Sequence, residues 1–179
     1  MSREIEIIKG HDDGSCFWIM PINNDINSEL LAEEISIEEE YVWHFLSCFL
    51  IKYYDKNLKQ NTDRKWCSNE FEWNLEHNCY TYSAIRTMLD DIRKVIKLLQ
   101  TDYDNPYLAP FKERFCILYM LECNSPLHDK AMRVTDAERN KMVRDNIQVV
   151  IDFYERFIVF MENILENAKD YNLISFMGP

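Results

Sequence analysis

The sequence predicts an all-α bundle of four to five main helices, with a short N-terminal β-hairpin packed on it. Three observations carry that prediction. From residue 37 onward, apolar residues recur mostly at the period of an amphipathic helix. Two S/T-x-x-E capping boxes, Ser36–Glu39 and Thr135–Glu138, open such stretches. The 179 residues include only 3 Gly and 5 Pro, which disfavours a β protein built on tight turns. Apolar residues make up 47%, enough for one packed domain. Its expected parts are a hairpin appendage over 1–24, a bundle over 28–169 and a tail over 170–179.

The hairpin is predicted from two alternating runs, Ile5/Ile7 and Phe17/Ile19, joined by the turn-rich GHDDG. Ser28 is placed to cap a short helix, SELLAEE. Ser36 then caps a helix over about 37–56, whose broad face carries Val42, Phe45, Leu46, Phe49, Leu50 and Tyr53. Glu40, His44 and Ser47 fall on its narrower polar face. Residues 57–68 read as a loop, and 69–77 as a short helix stopped at Asn78. Trp73 and Tyr80 are expected core anchors.

Thr81 or Ser83 caps the clearest helix, where Ile85, Met88, Leu89, Ile92, Ile96 and Leu99 form one stripe beside an Asp90–Lys94 pair. TDYDNPYLAP is a loop. Pro110 suits the first turn of a helix reaching about Cys123. NSPLHDKAMRV is a second connection. From Thr135 the helical pattern continues to about Lys169, with Ile147, Val150, Tyr154, Phe157, Met161, Ile164 and Ala168 in one stripe. A helix of that length overhangs and packs on a partner, or bends. YNLISFMGP either folds back or serves as a docking peptide.

Net charge is −11, which disfavours nucleic acid as a direct partner. Residues 1–56 carry −8 of it and residues 57–179 only −3. Six of the twelve residues 29–40 are acidic and none is basic. The helix dipole accounts for Glu38, Glu39 and Glu40 but not for Glu33 and Glu34. A basic protein partner is the function this charge suits, with Trp18 on the hairpin as an anchor. The leading expectation is therefore a non-enzymatic inhibitor or immunity-type protein acting on a basic nuclease or toxin. No leader or membrane-length apolar run is evident, and the six cysteines form no CxxC pair. Both features suit reduced thiols in the cytoplasm.

No cofactor is called for by any motif. H-E-x-x-H, E-x-x-H, a Gly-rich phosphate loop and G-x-S-x-G are all absent from the sequence. Three groupings bear on metal. Glu40, His44 and Cys48 stand at i,i+4 intervals, where the solvent side of a helix is the simpler reading. Cys67, His77 and Cys79 have a spacing unlike the usual zinc patterns. The LHDK run at 127–130 resembles the His-Asp pair of HD-type phosphohydrolases. That resemblance implies a metal held by His44 or His77 with His128 and Asp129, and by Asp145 or Asp152. A third class is a subunit that self-associates as a homodimer through the long C-terminal helix.

Overall fold

The computed structural model describes residues 3–10, 14–23, 34–62 and 77–178. These residues form an α+β fold, which corrects the all-α expectation. Its sheet is antiparallel and five-stranded, in the order β1-β3-β2-β5-β4. The strands are β1 (Ile8–Lys9), β2 (Cys16–Ile22), β3 (Ile35–Glu38), β4 (His77–Thr81) and β5 (Leu173–Met177).

The two runs predicted to form a hairpin do not pair with each other. β3 lies between them, with Ile8 opposite Ser36 on one side and Phe17 opposite Ile37 on the other. Ser36 is therefore a strand residue and not a helix cap. Its hydroxyl donates to the Gly10 carbonyl at 2.6 Å. Gly10 has φ +88, a left-handed backbone that glycine adopts without steric cost. The predicted tail contributes β5, which sits between β2 and β4. That position rules out a docking peptide exposed at the C-terminus.

Both faces of the sheet are covered. Phe17, Ile19, Ile35, Ile37, Tyr80, Ile174 and Phe176 join the main core. The alternate positions Met20, Ile22, Cys79 and Leu173 form a smaller cluster on the other face, against Leu58 and Trp18. Strands buried on both sides need not alternate polar and apolar residues. β2 and β5 accordingly read as nearly continuous apolar runs.

The first helical rod runs from α1 (Glu39–Tyr41) through a π turn, Val42–Leu46, into α2 (Ser47–Tyr53). α3 (Lys59–Thr62) lies in the stretch read as a loop. The predicted helices SELLAEE and 69–77 fall on residues outside the described ones, except for Glu34, which lies in no helix, and His77, which opens β4. Asn78 does not stop a helix; it is buried in β4 and donates to the Phe176 carbonyl at 3.3 Å.

α4 (Tyr82–Thr101) is the predicted helix, capped by Thr81 through a hydrogen bond from the Ala84 N–H at 3.1 Å. Its whole predicted stripe is buried. Asp90 pairs with Arg93 at 2.8 Å. α5 (Ala109–Lys112) has Pro110 in its first turn but stops well short of Cys123. The second connection contains α6 (Pro126–Ala131), capped by Ser125.

The long C-terminal helix bends by breaking. α7 (Asp136–Asp145) opens with the predicted Thr135–Glu138 capping box and ends at Asn146. α8 (Gln148–Asn167) follows, and its stripe from Val150 to Ile164 is buried within the chain. α8 packs beside α4, where Arg93 reaches Glu162 at 2.5 Å. Among the described residues, no helix is long and apolar enough to cross a membrane.

Candidate functional site

The acidic surface is built where the chain leaves the sheet. Glu38 ends β3, and the Glu39 N–H donates to the Ser15 carbonyl at 2.9 Å, fixing the start of α1. The Glu38 side chain at the N-cap does not cap this helix, and Glu39 and Glu40 in its first turn supply the negative charge that its N-terminus favours. Glu38 and Glu40 are exposed, while Glu34 and Glu39 are half-buried. Glu29 and Glu33 lie outside the described residues.

Two cations approach this surface. The Arg3 guanidinium donates to Glu38 at 3.4 Å and lies 5.3 Å from the Tyr41 ring centre. Burial first, and Glu38 next, push the Tyr41 hydroxyl well above the usual tyrosine range. One turn along the rod, Trp43 is 37% exposed, with the Arg114 guanidinium 4.9 Å from its ring. Trp43 was missed in the sequence because it falls between the two faces of an otherwise apolar helix. Trp18 is not on a hairpin, because β2 pairs with β3 and β5 and not with β1. It stands in β2 opposite Ser36 and Met177, half-buried against the second cluster.

The i,i+4 grouping of Glu40, His44 and Cys48 spans the π turn; Glu40 is exposed, while His44 and Cys48 are half-buried against protein. The His44 Nδ1–H donates to the Arg114 carbonyl at 2.7 Å, and its ring stacks on Tyr119 at 4.6 Å. A carbonyl only accepts, so the proton belongs on Nδ1. Burial lowers the His44 pKa against the opposing effect of this hydrogen bond, and the neutral ring is favoured. Cys48 donates to the Pro110 carbonyl at 3.4 Å. The polar face of the rod is thus a docking seam for residues 110–119.

Among the described residues, no group of three or more His, Cys, Asp or Glu side chains is placed to hold a metal. His128 is on α6, not in a loop, and its backbone N–H donates to Ser125 Oγ at 3.2 Å. Asp129 is beside it, exposed in the same short helix. Cys67 and the His77 side chain lie outside the described residues. Among the described residues, Cys16, Cys48, Cys79, Cys116 and Cys123 form no disulfide.

A second cluster had no counterpart in the sequence reading. Asp91 on α4 receives hydrogen bonds from Lys52 at 2.5 Å, from the Tyr53 hydroxyl at 3.1 Å and from the Tyr107 hydroxyl. Burial raises the Asp91 pKa, but these donors outweigh it and hold the carboxyl below its usual range. A carboxylate saturated by three donors is a clamp between α2, α4 and the 103–108 segment. It is poorly placed to act as a base. The available signal was an acidic residue at the edge of the α4 apolar stripe.

Comparison with protein-family models, curated proteins and solved structures finds no match to this chain.

Proposed function

We propose that the chain is a non-enzymatic cytoplasmic interaction protein that binds a basic protein partner through the surface opened by Glu38–Glu40. The observation that supports this reading is the exposed Trp43, one turn beyond those carboxylates on the same rod. Acidic side chains steer a basic partner, and a desolvated tryptophan supplies the central energy of such interfaces. The arginines beside Glu38 and Trp43 hold these side chains in place. Inhibition of a basic nuclease or toxin, in the manner of immunity-type proteins, is the activity this chemistry serves best. The skewed acidity supports the same reading.

Affinity capture from the source cells, at low and at high salt, tests it. Glu38→Gln, Glu39→Gln and Glu40→Gln combined should abolish salt-sensitive capture of a basic partner. Trp43→Ala should weaken capture at every salt concentration by about tenfold or more. Capture that is unchanged in both variants removes the proposal.

A further inference from the structure

A cavity of about 600 Å³ opens between α5 and α7. Its floor is Phe115 and Val143, both nearly buried, and Lys112, Lys141 and Arg144 stand around it. In a chain of net charge −11, three cations around one cavity run against the overall field. They are also held in position. Lys112 Nζ donates to the Tyr103 carbonyl at 3.1 Å and lies 4.6 Å from the Tyr103 ring centre. The Arg144 guanidinium carbon is 4.9 Å from the same ring. Tyr103 thus fixes both charged groups before any ligand arrives, which lowers the ordering cost of binding.

The counter-charge is weakly held. Asp104 bridges the pair, at 4.0 Å from Lys112 and 3.6 Å from Arg144, and its side chain is 73% exposed. Exposed pairs of that length contribute little, so another anion displaces this carboxylate readily. Glu113 also lines the cavity but is exposed. Lys141, one turn before Arg144 on α7, forms no ion pair among the described residues.

We propose that this cavity binds a small oxyanion carrying two negative charges, the chemistry shared by free phosphate and a phosphate monoester. Arg144 and Lys112 hold its oxygens in exchange for their pairing with the Asp104 carboxylate, and Lys141 closes the rim. Arginine provides the paired donors that suit such oxygens, and lysine a point charge. Asp104 is the internal competitor. The site is independent of the acidic surface on the first rod.

Calorimetric titration of the full chain with inorganic phosphate and with phenyl phosphate, at matched ionic strength, tests the proposal. Wild type should bind at millimolar concentration or tighter. Arg144→Gln should weaken binding about tenfold, and Lys141→Gln less. Asp104→Asn should tighten binding several-fold, because it removes the competitor. Tighter binding of phenyl phosphate identifies a monoester whose apolar body rests on Phe115 and Val143; equal affinities identify free phosphate. All three substitutions are at exposed positions, and far-UV circular dichroism checks the fold of each variant. No binding below about 10 mM overturns the proposal. So does binding that Arg144→Gln leaves unchanged, or that Asp104→Asn weakens.

Discussion

Tyr154 on α8 is wholly buried, and its hydroxyl donates to the Phe45 carbonyl at 2.7 Å, inside the π turn. A π turn disturbs the regular i→i−4 ladder and leaves carbonyls in need of other donors. Tyr154 supplies one, and ties the first rod to α8 by the same contact. Tyr154→Phe keeps the ring packing but strands that carbonyl. It should cost about 1–3 kcal/mol, read as a lower urea midpoint at unchanged slope. No change in midpoint would show that the π turn needs no outside donor. His44 acts nearby through its neutrality. Its folded pKa is lowered, so on acidification the unfolded chain takes up this proton first. The stability it contributes is complete above about pH 6.5 and is lost as pH falls through the lowered folded value. His44→Gln should therefore flatten the stability–pH profile below about pH 6.5. Parallel profiles for the two proteins would contradict this.

At the scale of elements, β4, the last strand of the sheet among the described residues, shows how a side chain stands in for a strand. The buried Asn61 amide accepts from the Cys79 N–H at 2.9 Å and donates to the Cys79 carbonyl at 3.0 Å. α3 thus satisfies backbone groups that an added strand would otherwise pair with. Asn61→Ala should cost about 2–3 kcal/mol and give new light scattering on mild warming. A variant that stays monodisperse with wild-type stability would argue against an edge-blocking role. Such devices are hard to read in a sequence, since Asn61 looks like any loop asparagine. α4, α7 and α8 were legible because their apolar period or capping box is strong enough to outweigh local ambiguity. The strands were not. ISIE follows acidic residues and carries a false capping box, HNCYT has little β-branched character, and LISFM is buried on both faces and shows no alternation. The site was legible in part. Glu38 and Glu40 are exposed as their charge implies, whereas the cavity cations come from two separated helices and share no local pattern.

The whole molecule is closed by its last strand. β5 pairs with Trp18–Ile22 of β2 on one side and with all of β4 on the other. Leu173, Ile174, Ser175 and Phe176 are all buried. Without β5, β2 and β4 lose their shared partner, and backbone donors and acceptors on both are left inside the fold unpaired. The core also loses Ile174 and Phe176, the latter packed edge-on against Tyr80 at 5.3 Å. Each such loss costs several kcal/mol, and together they rival the about 5–15 kcal/mol that holds a domain folded. A chain ending at residue 171 should therefore show no cooperative unfolding transition, although α4 and α8 keep their own residues. If the defect is the missing strand, a peptide of residues 170–179 added in trans should restore the transition, with a midpoint that rises with peptide concentration. A truncated chain that unfolds in a sharp transition without peptide would mean that the helices and the remaining strands suffice, and that β5 is an accessory to the sheet and not its closing element.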